Sequence, residues 1–180
     1  SLISIKFIPF TVFPSLTSRH GMILFASIYK NFCKSLNSVG DILAGASYGP
    51  CDIKSKYGGI FFYGIHQVEM VLKAFGYNVV NVLVVQNGNG STGQLIYDDG
   101  KIVTMNLITE GVHSFGIEVI GSKKVISAPI VWDKVQYLGG IKRFTKMFKT
   151  GCEPETYEHM LRPVAILEAL EKSAKSKKFE

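Results

Sequence analysis

Apolar residues recur along this chain with two different periods, and the places where the period changes mark out its elements. Residues 2–13 are rich in Ile, Phe, Val and Thr and predict a strand, followed by a connection over 14–18. Met22, Ile23, Ala26, Ile28, Tyr29 and Phe32 follow a looser helical spacing, which predicts a helix over 21–36. Gly40 and Asp41 punctuate it, and 41–48 reads as a strand ended by Gly49 and Pro50. The clearest helix is 58–75, where Phe61, Ile65, Val68, Leu72 and Phe75 lie alternately four and three apart and form one apolar stripe. Gly76 follows, at the position where a left-handed residue often closes a helix.

From Asn78 the period shortens. Residues 79–86, 92–97, 102–109 and 112–120 are β-rich runs, and Asp98-Asp99-Gly100-Lys101 is a hairpin turn with a glycine for positive φ. Residues 121–124 form a second tight turn, 124–128 a short strand and 131–137 one more edge strand, so the block reads as an antiparallel meander. The tail is helical. Ile141, Phe144 and Phe148 mark one helix ended by Gly151, and Met160, Val164, Leu167 and Leu170 mark another over 156–172. Pro163 should kink or restart that last helix, because it offers no N–H and its ring crowds the preceding turn. With no repeat or linker, residues 1–180 read as a single domain of class α+β, a largely antiparallel open β-sheet with helices packed on one face.

Composition narrows this reading without changing it. Hydrophobic residues are 47% and charged residues 19%, which excludes a disordered or low-complexity chain. The net charge of +6 is spread out except at Lys172, Lys175, Lys177 and Lys178, which read as a solvated helix end, so no nucleic-acid partner is expected. Cys33, Cys51 and Cys152 match no zinc or redox spacing and read as free thiols of a cytoplasmic protein. The apolar run at the start is interrupted by Lys6 and Pro9 and is shorter than the roughly 20 residues a membrane helix needs, so no membrane association is expected. Its opening in an apolar run suggests a domain cut from a longer polypeptide.

Two short motifs invite chemistry and lose it in context. Gly88–Gly93 spells G-x-G-x-x-G, but a dinucleotide site needs a helix to begin at the glycines, and Gln94–Gly100 can hold only a strand and a turn. It reads as a hairpin loop, so cofactor-binding residues are expected to be none. Gly45–Gly49 spells G-x-S-x-G, but no helix follows Ser47 before Gly58, and the serine reads as a strand residue. His66 holds more interest. It lies off the apolar stripe of its helix, on one face with Tyr63 and Glu69, and Lys73 extends that face. Histidine and tyrosine can both pass a proton to or from a hydroxyl or carbonyl. His20, His113 and His159 have no partner at ligand spacing and read as surface or turn residues, and no metal site is expected.

The segment GGIFFYGIHQVEMVLKAFG, Gly58–Gly76, resembles the stretch of Gfo/Idh/MocA-type oxidoreductases that runs G-G, apolar residues, G-x-H, an acidic residue and a glycine. The preceding helix and strand, the Asp99-Gly100 hairpin and the closing Pro154–Ser173 segment resemble that family in the same order. The resemblance implies the family's C-terminal, substrate-binding and oligomerisation domain without the Rossmann domain. NAD or NADP would then be used in the full-length enzyme only and bound by no part of this chain alone. It implies a sugar-like or polyol substrate, His66 as the acid/base group or hydroxyl anchor, and Tyr63 beside it. Where the family commonly carries an aspartate four residues before the histidine, this chain has Phe62. Lys56 and Tyr57, just before the helix, together with Glu69, are the expected substrate contacts. The missing Rossmann half and a homo-oligomer through the sheet face are the expected partners. The alternatives are a non-catalytic binding or dimerisation module derived from the family, and an unrelated small α+β binding protein.

Overall fold

The computed structural model describes residues 22–88, 90–111, 113–131, 134, 137–153 and 155–180. The strand expected at 2–13, the connection at 14–18 and His20 lie outside the described residues. Helices α1 (Met22–Phe25) and α2 (Ser27–Ser35), separated at Ala26, take the place of the single helix expected over 21–36. A 3₁₀ turn at Leu36–Ser38 leads into β1 (Ile42–Pro50), and then come α3 (Phe61–Phe75), β2 (Val79–Asn87), β3 (Gly90–Tyr97), β4 (Ile102–Ile108), β5 (Phe115–Gly121), β6 (Val125–Ile130), α4 (Leu138–Thr150) and α5 (Tyr157–Ser176). The structure is α+β, with a six-stranded, mostly antiparallel open sheet.

The order across the sheet is β2-β3-β4-β1-β5-β6. This corrects the expected meander. β4 and β5 are not neighbours, because β1 is inserted between them, parallel to β4 (Gly45 opposite Val103) and antiparallel to β5 (Gly45 opposite Val119). Strand pairing over so long a sequence separation leaves no trace in local periodicity. A second correction concerns the edge strand expected at 131–137. Its described residues Val131, Lys134 and Tyr137 belong to no strand.

Strand alternation sorts the residues onto two faces. Val82, Leu95, Val103, Met105, Leu107, Ile117, Val119 and Ile130 are buried on one face, where α2 lies against β6, α3 against β1 and α5 against β2. The closeness of α3 to the sheet depends on Gly45, where an added Cβ would fall 2.0 Å from the Phe75 ring. At the end of α3, Gly76 takes φ +97° and its N–H bonds the Leu72 carbonyl, as its place in the sequence anticipates. Thr156 caps α5 by accepting a hydrogen bond from the His159 N–H at 3.3 Å.

The kink or restart expected at Pro163 does not divide α5, which is continuous from Tyr157 to Ser176. Tertiary anchoring holds it there. Pro163 is buried, and the neighbouring Arg162 donates from Nε to the Tyr77 carbonyl at 3.1 Å and from its guanidinium to the Val79 carbonyl. The buried face of α5 is Ile166, Leu167, Leu170 and Ser173, whereas Met160, expected on that face, is 39% exposed. No helix among the described residues is long and apolar enough to cross a membrane.

Candidate functional site

Because β1 and β4 run parallel, their C-terminal ends meet at one rim of the sheet, with the start of β5 beside them. The Cys51 N–H extends the pairing by donating to the Ile108 carbonyl at 2.9 Å. The chain then turns through 51–60, where the Gly59 N–H bonds the Ser55 carbonyl at 2.8 Å, and enters α3. The N-terminal half of α3 is thereby delivered to this rim.

The residues singled out in the sequence gather there as a run of rings. Lys56 Nζ stands 5.1 Å over the Tyr57 ring, and Tyr57 packs on Phe62 with centroids 5.3 Å apart. Phe62 meets Tyr63 edge-on at 4.9 Å, and Tyr63 meets His66 at 6.2 Å. His66 in turn meets Phe115, the first residue of β5, at 6.1 Å with the rings nearly perpendicular. Lys56, Tyr57, Tyr63 and His66 are therefore brought into one neighbourhood. Glu69 is half-buried one turn further along α3, and its charge bears on Tyr77, whose hydroxyl is held up by burial first and by the Glu155 and Glu69 carboxylates after it.

Two features of this neighbourhood escape the sequence reading. His66, expected off the core face, is only 6% exposed. The helix is enclosed well beyond its apolar stripe, since Gln67, Met70, Val71 and Ala74 are buried as well as Ile65, Val68, Leu72 and Phe75. The other feature is His113, exposed in the β4–β5 connection, whose ring lies 6.0 Å from that of Tyr63. Fifty positions separate the two in sequence, and only the insertion of β1 carries the β4–β5 connection across this rim.

Beneath the rim, the fully buried Gln67 donates through Nε2 to Ser47 Oγ at 2.9 Å and to the Asn106 carbonyl at 3.3 Å. Ser47, centre of the G-x-S-x-G motif, is thus a buried strand residue on β1. Burial, with Asp52 adding to it, pushes the Cys51 thiol up to about 12 from an ordinary 9.0. The thiol holds its proton in the folded state through pH values at which the unfolded thiol has lost it. The fold binds more protons in that window, so stability falls as pH rises from about 9 towards 12. Burial holds the hydroxyls of Tyr29 and Tyr97 up in the same sense. A melting-temperature series from pH 8 to 11 is expected to decline, and Cys51→Ala should flatten part of that decline; an identical slope in the variant would contradict it.

Gly88 takes φ +59° at the β2–β3 turn, and Gly90 and Gly93 lie in β3. No helix begins at these glycines, so the described residues offer no dinucleotide cradle there. Among the described residues no cluster of His, Cys, Asp or Glu could hold a metal ion.

The six-stranded open sheet with helices on one face is a fold shared with part of several solved dehydrogenase structures. The solved structures it resembles include myo-inositol 2-dehydrogenase from Lactobacillus plantarum, at TM-score 0.73 and 17% identity over 94% of this chain and 67% of that one. They also include scyllo-inositol dehydrogenase from Lactobacillus casei with bound NAD(H) and scyllo-inositol, at TM-score 0.74 and 13% identity over 88% of this chain and 62% of that one. A third is KijD10, a 3-ketoreductase from Actinomadura kijaniata in complex with NADP, at TM-score 0.67 and 14% identity over 86% of this chain and 59% of that one. This chain therefore spans about three fifths to two thirds of the proteins whose fold it shares. No family model and no curated protein matches the sequence.

Proposed function

We propose that this chain is the substrate-binding and oligomerisation domain of an NAD(P)-dependent oxidoreductase acting on a sugar-like or polyol substrate in the cytoplasm. The observation that carries the reading is the meeting of His66 and Tyr63 at the rim of a sheet with the fold of inositol dehydrogenases. NAD or NADP, when held by a nucleotide-binding half, supplies the hydride chemistry. This chain's own residues bind and orient a hydroxyl. His66 moves the hydroxyl proton or anchors the oxygen, the Tyr63 phenol stands beside it, and Lys56 and Tyr57 edge the substrate. In this reading the partners are the nucleotide-binding half and a second copy of the chain.

The test is turnover. Polyol-dependent reduction of NAD or NADP is expected from the enzyme containing both halves and none from the purified 180-residue chain. Cofactor-dependent turnover by this chain alone would sink the assignment.

The oligomerisation role draws on the sheet face opposite the helices, which holds exposed apolar residues among the described ones. The strand register sets its residues in transverse rows. Ile96, Ile102, Ala44, Ile120 and Val125 form an apolar row, and Gln94, Thr104, Ala46, Glu118 and Ser127 form a polar one beside it. Ile102, Ile120 and Val125 are among the exposed large hydrophobic residues. A second copy laid on this face would bury the apolar row. Ile102→Asp with Ile120→Asp is expected to shift the chain from dimer to monomer in sedimentation velocity without loss of circular dichroism; an unchanged sedimentation coefficient would remove this face from the interface.

Phe62 favours a second reading, a non-catalytic module of the same fold. Its ring packs between those of Tyr57 and Tyr63, at the position where the resembled family commonly carries an aspartate. Turnover by the two-half enzyme decides between the readings.

A further inference from the structure

The ring run at the rim grades from exposed to buried. Tyr57 is 67% exposed and Phe62 41%, Tyr63 is half-buried, and His66 is nearly covered. The neighbouring Phe61 packs against the core, so α3 turns one phenylalanine inward and keeps the next at the surface. A contiguous exposed apolar patch rimmed by polar groups marks a binding surface, as single scattered apolar residues do not. Here the rim is Lys56, whose Nζ stands 5.1 Å over the Tyr57 ring, and the exposed His113, whose ring lies 6.0 Å from that of Tyr63.

The turn that carries Tyr57 is tied down by its backbone. The Ser55 N–H donates to the Asp52 carbonyl at 3.0 Å, and the Tyr57 N–H donates to Ser55 Oγ at 3.3 Å. The Gly58 and Gly59 N–H groups both donate to the Ser55 carbonyl, at 3.2 and 2.8 Å. Gly58 at φ +126° and Gly59 at φ +59° give the reversal that leads into α3. Tyr57 is thus set against Phe62 in advance, and a ligand that uses it has little ordering left to impose. Phe62 lies one turn before His66 on α3, and Tyr57 lies one ring further out. Each step of the run is close to the width of one six-membered ring. A ring whose hydroxyl meets His66 therefore reaches Tyr63 and Phe62 and leaves Tyr57 uncovered.

We propose that Tyr57 and Phe62, with Lys56 at their edge, form a subsite for a second sugar ring, so that the substrate is a pyranoside rather than a free polyol. The proposal rests on the reading of His66 and Tyr63 as the place of the reacting hydroxyl. A pyranose has faces of C–H groups and a girdle of hydroxyls. The faces lie on aromatic rings, while the hydroxyls accept from the Lys56 ammonium and exchange hydrogen bonds with the Tyr57 hydroxyl. A purely apolar group would use the rings and leave those polar groups unused. Binding energy from the ring that does not react holds the reacting ring in place and appears in kcat/KM.

NMR titration of the 180-residue chain tests it, with maltose, cellobiose and lactose set against glucose, galactose and myo-inositol. At least one disaccharide is expected to bind about tenfold more tightly than any single-ring probe. Tyr57→Ala should shrink that preference to about threefold or less, and Tyr57→Trp should retain it. Tyr157→Ala, which removes an exposed ring of α5, should leave it unchanged. Circular dichroism checks that each variant is folded. No disaccharide bound more tightly than the single rings, the full preference kept in folded Tyr57→Ala, or phenyl glucoside bound more tightly than every disaccharide would overturn the proposal. The dehydrogenase reading fails separately. The preference found in a two-half enzyme that turns over no sugar or polyol would remove that reading and keep the subsite. Equal kcat/KM for one-ring and two-ring substrates would keep the reading and remove the subsite.

Discussion

His66→Asn in the enzyme that contains both halves is expected to lower kcat by about 10²–10⁴-fold, the usual contribution of a positioned proton-transfer group. The expectation rests on the place of the ring. It lies on a helix whose neighbouring turns are packed against the sheet, with Phe115 at its edge and Tyr63 one turn before it. Asparagine can still form a hydrogen bond to a substrate hydroxyl but cannot take up its proton. The pattern of the loss therefore distinguishes the two roles proposed for His66. A fall in kcat with KM held marks proton transfer, and a rise in KM with kcat held marks an anchor. Unchanged kcat and KM would remove His66 from the site. Because the ring is buried, the melting temperature of the variant must be measured alongside, so that lost activity is not confused with lost fold.

Leu167→Ala and Leu170→Ala are each expected to cost about 2–5 kcal/mol of stability. Both side chains are fully buried on α5. Leu167 Cδ2 lies 3.2 Å from where a Gly64 Cβ would be, and Leu170 Cδ2 lies 3.2 Å from where a Gly93 Cβ would be. Each leucine therefore fills a hollow that a glycine leaves, in α3 for one and in β3 for the other. Glycine has no side chain to move into the vacated space, so the cavities should stay open and the losses should fall in the upper part of that range. The two positions are one turn apart on the buried face of α5, so the double variant need not equal the sum. Urea denaturation measures both, and losses below about 1 kcal/mol would show that α5 is not docked as described.

What could be read from the residues and what could not follow a physical divide. Helix α3 was legible because Phe61, Ile65, Val68, Leu72 and Phe75 keep a helical period and Gly76 closes it, and both signals are local. The hairpins at Asp98–Lys101 and Gly121–Lys124 were legible for the same reason. The insertion of β1 was not, because pairing Gly45 with both Val103 and Val119 depends on chain far away. The described residues of the strand expected at 131–137 join no ladder, since apolar content alone supplies no pairing partner, and the restart expected at Pro163 gives way to tertiary anchoring through Arg162. The candidate site divides along the same line. Tyr63 and His66 lie one turn apart and announce each other, while His113 reaches Tyr63 only through the strand order. Gln67 resembles an exposed polar residue of a helix until its hydrogen bond to Ser47 is seen.

The strand order also has a kinetic side. β2, β3 and β4 can zip together through short hairpins, and so can β5 and β6, since each pairs with its neighbour in sequence. These two half-sheets share no ladder until β1 enters between them. Contacts this distant in sequence cost the most chain entropy to form and slow folding most. Before that step β4 and β5 each present a bare row of N–H and C=O groups, the template on which chains pair with the wrong partner. Although β1 is made first, its place in the sheet exists only once β4 and β5 have been synthesised, so the window of misassembly stays open until late in the growth of the chain.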